Sequence, residues 1–167
     1  MPSVGSAVYC TLMNYVIRRM CREDIGPVAD AFAPMNKSRA QYERYFEENR
    51  AGDRVTLVAD LDGSLIGYTN ILWRSYYPPF RAAGIPEIND LNVVEEYRNH
   101  GVATALIREC ESIIREAQHA TIGIGVGLTP DYAAAQHLYP KLGYVSDGRG
   151  VHTAAEGHEA YFLKALQ

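Results

Sequence analysis

Between Gly101 and Gln118 the apolar residues Val102, Leu106, Cys110, Ile113 and Ala117 recur at spacings of four, four, three and four, and Ile107 and Ile114 widen the stripe. Residues three and four apart share one face of a helix, so this spacing predicts a long amphipathic helix from Gly101 to about Gln118. An apolar strand, Glu87 to Val94, and a short polar turn precede it. A helix with one apolar stripe, following directly on a strand, buries that stripe against a sheet. This juxtaposition restricts the chain to layered architectures.

The remaining pattern fits such a layering. A first strand is expected over Tyr15 to Met20. A short helix then runs from Arg22-Glu23-Asp24 through about Phe32, acidic at its positive end and broken by Pro34. A second helix is expected from the N-cap Ser38 to Asn49, stopped at Ala51-Gly52. Val55 to Asp60 and Leu65 to Trp73 form a hairpin around Leu61-Asp62-Gly63-Ser64. Ser75 to Pro86 reads as a loop. Thr121 to Leu128 reads as a strand, Asp131 to Lys141 as a helix, and Tyr144 and Tyr161 to Leu166 fall in the last strands. Early hairpins and later strand-helix-strand units give an α+β fold, a mixed α/β sandwich. Residues 1–14 read as an N-terminal extension and 15–167 as a single domain.

Charge and cysteine content exclude several classes of partner. A net charge of -4, with no basic block beyond the pair Arg18-Arg19, leaves nothing to neutralise nucleic-acid phosphates. No apolar run approaches the roughly 20 residues of a membrane-spanning helix, so no membrane partner is expected. Cys10, Cys21 and Cys110 are odd in number and widely spaced, which suits free thiols in a reducing cytoplasm. Cys110, on the apolar stripe, reads as a small buried hydrophobe. The five histidines, His100, His119, His137, His152 and His158, show no metal-ligand spacing, and no metal is expected.

The turn Arg98-Asn99-His100-Gly101-Val102-Ala103-Thr104 carries the first chemical signal. Gly101 and the small Ala103 let backbone approach a ligand closely. Unpaired N–H groups in the first helical turn, with Arg98 beside them, suit a pyrophosphate, although the same features also describe a plain helix start. The run Arg98 to Ala103 resembles the R/Q-x-x-G-x-G/A coenzyme A signature of the GNAT N-acetyltransferase superfamily. Farther on, Ala135-Gln136-His137-Leu138-Tyr139-Pro140-Lys141-Leu142-Gly143-Tyr144 is similar to that family's A-x-x-L-Y-x-x-x-G-F/Y segment, and Tyr161-Phe162-Leu163-Lys164 resembles its closing strand. The order and spacing hold across roughly residues 15 to 166.

The resemblance implies an acetyl-coenzyme A-dependent N-acetyltransferase. Its sheet would have two parallel central strands splayed apart, Glu87 to Val94 and Thr121 to Leu128. The backbone of Leu91 and Val93 would pair with the pantetheine arm. The amides from Arg98, Asn99, His100 and Gly101 through Val102, Ala103 and Thr104 would hold the pyrophosphate. Tyr139 matches the tyrosine that returns a proton to the leaving thiolate; the alternative is a packed aromatic with a bonded hydroxyl. A homodimer is a further expectation from the resemblance.

Direct transfer requires the amine to lose a proton. Strand parity puts Glu87 and Asn89 on one face and Ile88 and Asp90 on the other. Asn89 stands where some relatives carry a glutamate, which leaves Asp90, Glu87 or an ordered water as base. Three segments are expected on the acceptor side: Ala33 to Arg39, Ser75 to Pro86 and Ser146 to Gly157, the last carrying Asp147, Arg149, His152 and Glu156. The aromatics Tyr76, Tyr77 and Phe80 would either wall the acceptor site or pack beneath a loop. These segments are not strongly acidic, which favours a small amine, an amino acid or a peptide N-terminus over a polyamine.

Gly123-Ile124-Gly125-Val126-Gly127 alternates with a period of two and so fits a strand with one bare face, open to a ligand or a helix, not a dinucleotide loop. Two alternatives remain at this level: a non-catalytic acyl-coenzyme A-binding or protein-interaction domain of the same fold, and an unrelated phosphate site.

Overall fold

The computed structural model describes residues 13–155 and 157–167. Most of the N-terminal extension, with Cys10, and Glu156 lie outside the described residues; Met13 packs against the main core. Seven strands form one sheet: β1 (Val16–Arg19), β2 (Arg54–Leu61), β3 (Ser64–Leu72), β4 (Glu87–Val93), β5 (Thr121–Gly127), β6 (Val145–Ala154) and β7 (Gly157–Ala165), in the order β1-β2-β3-β4-β5-β7-β6. Among the described residues only β4 and β5 are parallel neighbours. The α+β class follows directly.

Five α-helices cover the sheet: α1 (Ile25–Ala31), α2 (Arg39–Ala51), α3 (Pro78–Ala83), α4 (Val102–Glu116) and α5 (Ala133–Lys141). The predicted stripe of α4 is the main core: Val102, Leu106, Ile107, Cys110 and Ile114 pack on Val55, Leu57, Ile71, Ile88, Ile122 and Ile124. On the opposite face, Ile25, Val28, Phe32, Tyr42 and Tyr45 from α1 and α2 close over Val58, Leu65 and Tyr68. Ser38 caps α2, accepting from the Gln41 amide at 3.3 Å, and Gly52 ends it in the left-handed region.

Two of the segments expected on the acceptor side hold regular structure. Ser75 to Pro86 contains α3, started by Pro78-Pro79 and ended at the left-handed Gly84. Its Tyr77 and Phe80 pack beneath it with Tyr161, whereas Tyr76 is exposed. Ser146 to Gly157 is mostly β6, in an edge hairpin with β7 whose register breaks between Ser146 and Val151. Glycines at positive φ, Gly148 and Gly150, mask the strand pattern there.

The bare face of β5 is filled, but by side chains. A Cβ at Gly123 would lie 2.3 Å from the Phe80 ring, one at Gly125 2.8 Å from Tyr161, and one at Gly127 2.4 Å from Tyr132. Three aromatic rings occupy the space that the glycines vacate.

Candidate functional site

The sheet forks at its centre. β4 and β5 pair only at Glu87 with Gly123 and Ile88 with Ile124, and the pairing stops there. Just beyond, β4 bulges: Asn89 pairs with Asn70 and Asn92 with Tyr68, so Asp90 and Leu91 together oppose Thr69. Asp90 takes a φ of 55°, a conformation that aspartate tolerates better than most residues. From Asn89 to Val93, β4 therefore presents a backbone edge that β5 does not satisfy.

The bulge overturns the parity expectation for Asp90. Ile88 faces the α4 core, but the extra residue reverses the alternation, and the Asp90 side chain points to the α2 face. Glu87, Asn89 and Asn92 stand on that same face, in register with Arg54, Thr56 and Val58 of β2 across β3. Leu91 packs toward the main core instead.

Glu87 is buried, 4% exposed, and its carboxylate accepts a hydrogen bond from the Ser75 hydroxyl. Ser75 itself is fully buried and braces the start of α3, accepting from the Tyr77 amide at 3.0 Å. Burial drives the Glu87 pKa up to about 7; Ser75 pulls it back, the nearby Glu159 charge adds to the rise, and Asn89 opposes it. Glu159 accepts from the Tyr161 hydroxyl at 2.7 Å, and the Tyr161 ring stacks on Tyr77 with centroids 3.6 Å apart.

Asp90 has a different environment. Its Oδ2 accepts from Tyr68 at 2.8 Å, Tyr45 at 2.9 Å and Gln41 at 3.4 Å, while Oδ1 accepts from Asn92 at 2.8 Å and pairs with Lys37. Burial pushes its pKa up, but Lys37 and the two tyrosine hydroxyls outweigh burial and leave it below the usual carboxylate range.

Tyr139 of α5 belongs to the main core, is 4% exposed and packs beside Tyr144. Its hydroxyl makes no hydrogen bond among the described residues, and burial raises its pKa, so it is protonated at neutral pH. Tyr139 thus lacks the bonded partner that a purely packed tyrosine usually has.

The turn ahead of α4 is ordered by its own backbone. A 3-10 turn, Glu95–Tyr97, leads to Arg98, whose Nε donates to the Val93 carbonyl at 3.2 Å. His100 Nδ1 lies 2.7 Å from the Arg98 carbonyl. Asn99 and Gly101 both have positive φ, 62° and 82°. Gly101 is the N-cap, so α4 itself begins at Val102, and a Cβ at Gly101 would meet nothing within 4 Å. The open space at Gly101 lies at the positive end of a fifteen-residue helix, where its first amides and Arg98 could hold a pyrophosphate. The unpaired β4 edge fits an extended pantetheine arm.

Sequence reasoning placed Ser75 and Lys37 only within acceptor-side segments and missed Tyr45, Tyr68 and Glu159. Their roles come from contacts across α2, α3 and β7 that no local spacing encodes. Arg81 anchors α3 by donating to the Ser75 carbonyl at 2.8 Å. Among the described residues no cluster of three or more His, Cys, Asp or Glu side chains is grouped to hold a metal ion, and no helix is long and apolar enough to cross a membrane. Cys21 and Cys110 are free thiols, the latter fully buried.

A mixed sheet forked between its two parallel strands, with a helix N-terminus facing the open end, defines the acetyltransferase class of fold. Residues 13–144 match the acetyltransferase (GNAT) family, and the chain belongs to it. An N-alpha-acetyltransferase of Sulfurisphaera tokodaii is 28% identical over 135 residues, covering 74% of this chain and 77% of that protein. An N-acetyltransferase structure from Staphylococcus aureus superposes with a TM-score of 0.73 at 17% identity, over 92% of this chain and 99% of the other. PaiA N-acetyltransferase of Thermoplasma acidophilum, in complex with coenzyme A, gives 0.68 at 16% identity, over 92% and 99%. The structural likenesses establish the fold, and family membership supports acetyl transfer as the general activity.

Proposed function

We propose that the chain transfers the acetyl group of acetyl-coenzyme A to a primary amine, and that the acceptor is the α-amine of a peptide or amino acid. The observation that carries this reading is Glu87, a buried carboxylate whose pKa is about 7, at the base of the fork. A peptide α-ammonium titrates near 7.7–8.0, so such a base can take its proton at neutral pH; a lysine ammonium, near 10.4, is a much poorer match. The N-alpha-acetyltransferase similarity supports the same class of acceptor.

Acetyl-coenzyme A, when bound, supplies an activated thioester. The β4 edge at Leu91 and Val93 would pair with its pantetheine arm, and Arg98 with the amides of residues 99–104 would hold its pyrophosphate. Glu87 takes the proton of the attacking ammonium, directly or through one water. The N–C bond forms as the C–S bond breaks, Tyr139 gives its proton to the departing sulfur, and the remaining extra proton of the acetylated nitrogen leaves through water to restore Tyr139. Asp90 and Glu87 were equal candidates by sequence; with its oxygens occupied, Asp90 is the poorer base.

Titration calorimetry with acetyl-coenzyme A tests the first half of the reading, beside Gly101→Glu, which strains the left-handed N-cap and sets a negative charge at the pyrophosphate position. Binding by the wild type, weakened on the order of a hundredfold in the variant, is expected. Release of free thiol with a free peptide, and not with the same peptide N-terminally blocked but carrying lysine, supports the α-amine assignment. Equal rates on both peptides would sink it, and binding without turnover on any amine would leave only a coenzyme A-binding domain.

A further inference from the structure

We infer that Asp90 is a positioning residue whose carboxylate clamps the β4 bulge to α2 and β3, and so holds open the fork that receives the acyl donor. This rests on the acetyltransferase reading above, but the clamp itself is a property of the free protein.

Five donors converge on one carboxylate from four parts of the chain. Lys37 comes from the segment ahead of α2, Gln41 and Tyr45 from α2, Tyr68 from β3, and Asn92 from beyond the bulge. An ionised carboxylate offers roughly four lone-pair sites, so five donors leave none for an incoming ammonium. A residue so occupied is poorly suited to take up a substrate proton, and its place explains it better. It sits at the one position of β4 with positive φ, where a non-glycine backbone conformation costs on the order of 1 kcal/mol and persists only when its surroundings hold it. The β4–β5 pairing stops two residues earlier, at Ile88.

The network also ties the fork to the acceptor side. Lys37 lies in the segment expected to line the acceptor, and its ammonium stands 5.7 Å from the centre of the Tyr68 ring. Tyr68 in turn stacks edge-on against Phe32 and Tyr42, at 4.8 and 5.5 Å between centroids. Releasing the carboxylate therefore loosens β4 and the α1–α2 connection together.

The test compares Asp90→Asn, Asp90→Gly and Lys37→Met with the wild type. Glycine keeps the left-handed conformation and removes every contact; asparagine keeps the shape and removes the charge. Thermal unfolding establishes which variants fold, and Lys37→Met, altered at a partly exposed side chain, carries the test should both Asp90 variants fail to fold. Among folded variants, the dissociation constant for acetyl-coenzyme A should rise on the order of ten- to a hundredfold, the cost of misplacing a binding edge by about an ångström. Amide hydrogen exchange over residues 89–93 should accelerate, and the acid limb of kcat/KM should keep its wild-type midpoint. Unchanged affinity with unchanged exchange overturns the clamp. Loss of the acid limb in Asp90→Asn, with affinity intact, overturns it in favour of Asp90 as the base. Failure of the wild type to bind acetyl-coenzyme A at all removes the acetyltransferase reading, and exchange at the bulge then decides the clamp alone.

Discussion

The Ser75 hydroxyl hydrogen-bonds to the Glu87 carboxylate in a fully buried setting, joining the start of α3 to the first residue of β4. Both groups are buried, so the carboxylate is ionised only against a desolvation cost. That cost moves the group from an ordinary value of 4.5 up to about 7, the range the proposed base requires.

A pH dependence follows. kcat/KM should rise with pH through about 7, and Glu87→Gln should abolish that limb. Ser75→Ala should move the midpoint upward by about one pH unit, since it removes a bond that favours the ionised form. The sign for stability runs the other way. The folded chain holds this proton more tightly than the unfolded one, so the contribution is complete below pH 4.5 and lost as pH rises through about 7. At about 1.4 kcal/mol per pH unit the change is about 3 kcal/mol. Thermal unfolding at pH 5 and pH 8 checks it: Glu87→Gln should gain on the wild type at pH 8. A constant difference between the two pH values would mean that Glu87 is not raised.

Tyr139→Phe separates chemistry from packing. The ring is buried in the main core and the hydroxyl bonds to nothing among the described residues, so stability should change by less than about 0.5 kcal/mol. If the hydroxyl protonates the leaving sulfur, kcat should fall on the order of a hundred- to ten-thousandfold while acetyl-coenzyme A affinity is kept. Single-turnover thiol release measures the first and calorimetry the second. Unaltered kcat removes Tyr139 from the reaction.

The layering was legible because α4 carries its stripe over more than four turns and is fixed by local spacing alone. The turn ahead of α4 was legible as a helix start for a similar reason, since the left-handed glycine N-cap and the helix behind it are contiguous in sequence. The base was not. Glu87 and Asp90 lie three residues apart on one strand, and what distinguishes them is tertiary: a serine ahead of α3 for one, and five donors from α2, the segment before it, β3 and β4 for the other. The face of Asp90 was misjudged because strict alternation assumes an unbroken ladder, and a single inserted residue reverses it. Helix α3 was hidden by its Pro-Pro start and its six-residue length, too short for a periodic signal.

The glycines of β5 offer a last test, which connects sheet packing to the base. Gly123 pairs with Glu87 across the two parallel strands, and the Phe80 ring lies where its Cβ would be, 2.3 Å from the nearest ring carbon. Phe80 is 2% exposed, so the ring has little room to yield. Gly123→Ala should therefore displace α3 and cost about 1–3 kcal/mol, read as a lower urea midpoint with an unchanged slope. Because α3 begins two residues after Ser75–Tyr76, the same displacement should disturb the Ser75 bond to Glu87 and shift the acid limb of kcat/KM upward, as Ser75→Ala does. Phe80→Leu combined with Gly123→Ala should recover part of the lost stability, because a smaller side chain makes room for the new methyl group. In a double-mutant cycle the two changes should couple by about 0.5–3 kcal/mol. Strict additivity would mean that the ring and the glycine do not share this space.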